Sequence, residues 1–223
     1  MINQNSVSPV DPRLLETWLK GWSLARTLPA PVKDNGILRV DVGWPQQVMR
    51  YVFPGPSEKL VNLAATINDP WVFLKICAEP ETVRALLPSH WIIQAPGFMM
   101  TCYSGMSGYE TEPPKGYKIS IDEHTTIPVV NVLTSDHKVA ATGRIVFVDQ
   151  FAIYNGIETH PDHRRKGLGS LVMKNLETIG VKRGIDKGIL VATAQGKVLY
   201  ETLGWSMYSP YTTAVIPESH SCL

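Results

Sequence analysis

Apolar residues along the first half of the chain recur at two periods. Leu14, Leu15, Trp18, Leu19 and Trp22 fall three or four apart, on one face of a helix, and Asp11-Pro12 ahead of them suits an N-cap and a first helical position. After breaks at Pro29-Ala-Pro31 and Asp34-Asn-Gly36 the pattern changes to alternation, so Ile37–Val42 and Gln47–Phe53 are predicted strands. A helix is predicted from Ser57 to Ile67, a strand from Trp71 to Ala78, a short helix from Glu81 to Leu87 and an apolar crossing segment over 91–101. Residues 104–116 are rich in turn formers and predict a linker or lid, with a lobe boundary near residue 110. Strands follow at 117–121, 129–134, 139–148 and 151–159, the last three joined by turns at 135–138 and 149–150 into an antiparallel meander. A helix over 170–183, stopped by Gly184, a strand over 188–194, a helix over 196–203 and strands within 205–216 complete an α+β chain of two lobes, 1–110 and 111–223.

The meander leads into Gly156-Ile-Glu-Thr-His-Pro-Asp-His-Arg-Arg-Lys-Gly-Leu-Gly-Ser170, which reads as strand, basic loop and helix start. Gly167 and Gly169 let a ligand approach the backbone where no Cβ intervenes. The first N–H groups of a helix have no partner within it, and the helix dipole adds positive potential, so the place attracts phosphate. Arg164, Arg165 and Lys166 set three cations beside those donors. The segment has the makings of a pyrophosphate cradle.

Arg164-x-x-Gly167-x-Gly169 after a strand is similar to the coenzyme A pyrophosphate loop of the GNAT superfamily of N-acetyltransferases, and Tyr200-Glu-Thr-Leu-Gly204-Trp205 resembles that family's Tyr-Glu-x-Leu-Gly-Phe segment. The resemblance covers about residues 117–216. It implies a mixed, mostly antiparallel central sheet flanked by helices, an acetyl-CoA cofactor, and acyl transfer to the amine of a small molecule or peptide. Strands 151–159 and 189–194 would splay apart around the pantetheine arm, with the backbone of Ile157, Glu158 and Thr159 pairing with it and an N–H there facing the developing oxyanion. The loop residues Arg164 to Ser170, Leu168 included, would hold the diphosphate. Thr193 stands where an asparagine is common, and Tyr200 where a tyrosine protonates the departing thiolate. A phenol of pKa near ~10 is suited to that exchange, although a packed amphipathic aromatic fits the same position.

The general base has several candidates. Glu158 lies on the strand beside the expected thioester, and apolar walls there would raise its pKa; Asp122, Glu123 and His124 are rivals, and a water chain would need none of them. His160 and His163, flanking Pro161-Asp162, read as turn residues rather than metal ligands. The family's usual helix pair after the first strand has no room between 121 and 129. An acceptor pocket would then be built by the N-terminal lobe, resembling a degenerate second half, and by the 104–116 loop.

Composition narrows the rest. In 223 residues, 44% hydrophobic and 18% charged content is that of a globular protein, and a formal net charge of +1 offers no general field for nucleic acid or an anionic membrane. Met1–Val10 lacks the order of a signal peptide, and no apolar run is long enough to span a bilayer. Cys77, Cys102 and Cys222 show no metal or disulfide spacing, so thiols in a reducing cytoplasm are expected. Gly169-Ser170 lacks the lysine of a Walker-type loop. The expectation is a cytoplasmic N-acetyltransferase, monomer or homodimer, with a non-catalytic coenzyme A or acyl-CoA binding or sensing protein as the alternative.

Overall fold

The computed structural model describes residues 10–108, 112–123 and 125–218. His124 and Cys222 lie outside them. Helix α1 (Pro12–Leu24) begins where the sequence predicts, the Asp11 side chain accepting from the Arg13 N–H at 2.8 Å. Its apolar face buries Leu15, Leu19 and both tryptophans. There follow β1 (Val32–Asp34), β2 (Ile37–Trp44), β3 (Gln47–Phe53), α2 (Glu58–Thr66), β4 (Val72–Ile76), α3 (Pro80–Leu86), β5 (Ile92–Ile93) and β6 (Gly97–Cys102). The second half runs β7 (Tyr117–Asp122), β8 (Val129–Thr134), β9 (Val139–Val148), β10 (Phe151–Thr159), α4 (Leu168–Lys182), β11 (Lys187–Thr193), α5 (Ala194–Thr202) and β12 (Ser206–Val215). β1 was not predicted, and the strands expected within 205–216 form one.

All the strands form a single mixed sheet whose path is β1-β2-β3-β4-β12-β6-β11-β10-β9-β8-β7, with β5 beside β12. Among the described residues only β3–β4 and β10–β11 pair in parallel. Helix α1 packs on one face, against Val40, Val52, Met99, Ile153 and Ile189. The other helices cover the opposite face in two clusters, one around Leu60, Leu74 and Trp91, the other around Leu171, Leu176 and Trp205. Both faces are thus buried, which lets the central strands be apolar almost throughout.

The two halves repeat one order: β2, β3, α2, β4, α3, β6 in the first and β9, β10, α4, β11, α5, β12 in the second. Each last strand crosses to the other half, β6 pairing with β11 and β12 with β4. A single sheet therefore takes strands from both sides of the expected lobe boundary near residue 110, and residues 109–111 lie outside the described residues.

The halves differ at the parallel pair. β3 and β4 stay in register over five positions, from Met49↔Val72 to Phe53↔Ile76. β10 and β11 pair only at Phe151↔Lys187, Ala152↔Gly188 and Ile153↔Ile189, then part. The sheet is closed in the first half and open in the second.

Candidate functional site

β10 carries a bulge beyond the last paired residue: Asn155 faces Arg144 and Glu158 faces Thr142, so Gly156 and Ile157 together oppose Gly143. Gly156 has φ +59°, a conformation that suits glycine. The bulge and the divergence from β11 turn backbone polar groups of β10 toward a gap in the sheet instead of a neighbouring strand. Ile157 reaches the side under α4, where a Cβ on Gly143 would meet its Cδ1 at 2.6 Å.

Helix α4 opens at the mouth of this gap. Its N-cap, Gly167, is left-handed at φ +74° and offers no side-chain cap. The amides that begin the helix therefore point outward without a capping acceptor, as an anion would require. The corresponding helix of the first half is sealed by its own chain: Ser57 caps α2 by accepting from Leu60 N–H at 3.2 Å, and Glu58 sits in its first turn.

A cleft of about 1350 Å³ runs from the α4 mouth through the splayed strands to the face covered by α1. Its wall includes Ile157, Glu158, Thr159, Arg164, Arg165, Gly167, Leu168, Gly169, Ser170, Thr193 and Tyr200. The cradle, the splayed strand and the tyrosine thus share one space, larger than the ~300–1000 Å³ of an ordinary ligand pocket.

Lys166 is the exception. Its ammonium lies 3.0 Å from the Tyr117 hydroxyl, over the Tyr117 ring, and it does not line the cleft. Arg164 Nε donates to Thr159 O at 3.3 Å, which holds its stem along the loop. Thr193 caps α5, its oxygen accepting from Gly196 N–H at 3.2 Å, so its hydroxyl proton and one lone pair are left for a ligand. Tyr200 is buried between Gly196 and Trp205, and burial pushes its phenol up to about 12.

Glu158 lines the cleft but is exposed to solvent rather than set against apolar walls. Asp122 and Glu123 end β7 at the far edge of the sheet, where Glu123 is 3.5 Å from Lys182; neither reaches the cleft. His160 borders it, whereas His163 meets the Tyr117 hydroxyl at 2.9 Å.

The 104–116 loop does not build the pocket with its described residues. Lys174 donates to Met106 O and to Glu177, each at 2.8 Å, and Glu177 in turn accepts from Met106 N–H. This fastens the loop to the outside of α4. Lys174 and Glu177 are 11% and 15% exposed, so breaking the clasp strands a buried charge. Glu177→Ala is expected to cost about 2–3 kcal/mol in urea unfolding and to speed hydrogen exchange at the Met106 amide; an unchanged midpoint would mean that the clasp is incidental.

The opposite end of the cleft comes from residues that the sequence reading passed over. Trp18 and Trp22 descend from α1 and Arg26 from just past its end, Arg50 from β3 and Lys75 from β4, and Tyr211 and Thr213 belong to β12. The tryptophans read as core and do pack as core. The one available signal was a cation at an inward position of an apolar strand, Arg50 between Val48 and Val52.

Residues 98–205 match the sequence profile described as the Acetyltransferase (GNAT) family. A GCN5-related N-acetyltransferase from Kribbella flavida has a similar structure, with a TM-score of 0.64 at 18% identity over 94% of this chain and 96% of that one. An acetyltransferase of the GNAT family from Novosphingobium aromaticivorans gives 0.55 at 16% identity, over 92% and 97%. A tandem GNAT protein from the clavulanic acid biosynthesis pathway gives 0.50 at 10% identity, over 66% and 65%. At these identities the likeness is one of fold. No curated protein matches the chain significantly in sequence.

Proposed function

With residues 98–205 this chain belongs to the GNAT acetyltransferase family, and we propose that it moves an acetyl group from acetyl-CoA to the amine of a small molecule or peptide. The observation that carries this reading is a single cleft with the uncapped N-terminus of α4 at its mouth and Tyr200 in its wall. The residues present fit the cofactor. The open amides of α4 and the guanidinium groups of Arg164 and Arg165 suit a diphosphate, and the gap where β10 and β11 part after Ile153 leaves strand edges with which an extended arm could pair. When bound, the thioester would supply an activated acyl group.

The chain's own residues then position and hold protons. In this reading backbone N–H groups at the bulge around Ile157 face the carbonyl oxygen as it gains charge. A Tyr200 phenol at about 12 is a weaker acid than a thiol near ~8.5. In this reading Tyr200 donates a hydrogen bond to the departing sulfur and stays protonated, with solvent supplying the proton that finally neutralises the thiolate. Glu158, wetted and in the cleft, can pass the amine proton to water.

The sealed α2 and fully paired β3–β4 leave the first half without the features that would hold a cofactor. The reading therefore has one cofactor site per chain, a first lobe of residues 1–110 that lends its walls to the acceptor, and a catalytic lobe of residues 111–223 interlocked with it through β6.

The test is release of free thiol from acetyl-CoA across an amine panel, with acetyl-CoA affinity measured separately. Arg165→Glu puts a carboxylate at an exposed place beside the proposed diphosphate, and it is expected to weaken acetyl-CoA binding about tenfold, less at high salt. Equal affinity in wild type and variant would remove the loop from the site. Saturable binding without transfer to any amine would instead favour a coenzyme A sensing protein.

A further inference from the structure

The end of the cleft under α1 holds more positive charge than its surroundings neutralise. Arg26, Arg50 and Lys75 all line it. Arg50 is only 6% exposed, with its guanidinium carbon 3.6 Å from the Trp22 ring centroid, and that of Arg26 lies 4.5 Å from the same ring. Every hydrogen-bond partner they have is neutral. Arg26 Nη1 donates to Asn155 Oδ1 at 2.8 Å and Trp22 O at 3.1 Å, and Lys75 Nζ to Thr213 Oγ1 at 2.8 Å. With the Gln47 amide turned to present its oxygen, Arg50 Nε and Nη2 both donate to it at 3.0 Å. Among the described residues no carboxylate comes within ion-pair distance of any of the three.

Two further polar groups stand open beside them. Asn155 Nδ2 and the Tyr211 hydroxyl are buried without partners, in side chains 7% and 3% exposed, and both residues line the cleft. A buried donor left unpaired is costly, and so is a cation removed from water without a counter-charge. Burial lowers Arg26 and Arg50 to about 10, so both stay charged at neutral pH, and it holds Lys75 well below its ordinary value, helped by nearby Arg50. Convergent guanidinium groups, the Lys75 amine, which an anion would draw toward its charged form, an amide N–H and a phenol together complement an oxyanion.

We propose that this end of the cleft binds a carboxylate or phosphate carried by the acceptor, so that the amine acetylated is an amino acid or a phosphorylated amine rather than a polyamine or a neutral amine. The anion site follows from the cluster itself, and only the reaction rests on the acyl-transfer reading above. In that reaction the amine nitrogen bonds the acyl carbon, the C–S bond breaks with its electron pair going to sulfur, and the surplus amine proton leaves through the water of the cleft. Trp18 and Trp22 would flank the acceptor's carbon skeleton.

Matched pairs test the proposal on the wild-type protein: each amino acid against the amine left by its decarboxylation, and phosphoethanolamine against ethanolamine. Thiol release confined to anionic members is expected, and the pair that responds tells carboxylate from phosphate; equal rates within every pair would overturn the proposal. Arg50→Gln and Lys75→Met are expected to raise KM for the anionic amine about tenfold to a hundredfold while KM for acetyl-CoA stays within about twofold. Glutarate and inorganic phosphate, added without acetyl-CoA, give a readout that needs no turnover. One of them should raise Tm in the wild type and in Arg165→Glu but not in Arg50→Gln or Lys75→Met. If neither moves the wild-type Tm, the anion site is refuted. If acetyl-CoA does not bind while that Tm pattern holds, the acyl-transfer reading fails and the anion site stands.

Discussion

Tyr200→Phe is expected to lower kcat by about a hundredfold and to leave acetyl-CoA affinity unchanged. The substitution removes one hydroxyl from a ring whose packing against Gly196 and Trp205 is otherwise preserved, so neither the fold nor the cleft should move. On the proposed function, what is lost is the donor facing the sulfur as charge develops on it, an interaction made mainly in the transition state. Because burial pushes the phenol up to about 12, its ionisation contributes nothing to the pH dependence of kcat at neutral or mildly alkaline pH. Thiol release under saturating acetyl-CoA and acceptor, with calorimetric binding in parallel, checks both halves. An unchanged kcat would return Tyr200 to the role of a packed aromatic, and a lost affinity would mean that it holds the arm rather than assisting its departure.

Gly21→Ala is expected to destabilise the protein by about 2 kcal/mol, although alanine is the better helix former. A Cβ built at residue 21 would lie 2.4 Å from Ile153 Cγ1 and 2.7 Å from Ile153 Cβ, too close for a side-chain adjustment alone. Helix α1 would have to lift off β10. Overpacking of this kind costs on the order of 3 kcal/mol, while replacing glycine inside a helix returns only about 1 kcal/mol, so the clash wins. The same lift displaces Trp22 and Arg26 from the cleft, and on the proposed function acceptor KM should rise while acetyl-CoA binding, assigned there to the N-terminus of α4, holds. Urea unfolding and steady-state kinetics would show this; a variant as stable as wild type would mean that α1 rests more loosely on the sheet than its contacts imply.

Local signals in the sequence were strong wherever period and end-signals agreed. Asp11-Pro12, Ser57 and the Gly167 region mark helix starts that the structure reproduces within a few residues, and the 129–159 meander appears with its predicted strand limits. β1 was missed because three residues between Pro31 and a turn carry too little pattern to distinguish a strand from a loop. The residues proposed to hold the cofactor could be picked out together because they lie in one stretch, residues 157–170, with Tyr200 a helix and a strand away; the structure brings all of them but Lys166 to one cleft. The opposite end of the cleft could not: Arg26, Arg50, Lys75 and Tyr211 lie far apart in the chain, and apart from Arg50 at an inward position of β3 none of them stands out from its neighbours. The position of Lys166, turned onto Tyr117, and the attachment of the 104–108 segment to α4 rather than to the cleft were likewise invisible.

The sequence by itself determined the elements, the glycine-containing basic loop at the head of a helix, and through these the family, because caps, turns and amphipathic periods act over a few residues and leave their mark in adjacent positions. Only the tertiary structure decided that the two halves exchange their last strands, that β10 and β11 separate after Ile153, and that Arg26, Arg50 and Lys75 meet beneath α1. Strand pairing and side-chain convergence depend on which distant segments become neighbours, and that is settled by burial of the whole sheet on both faces rather than by any local preference.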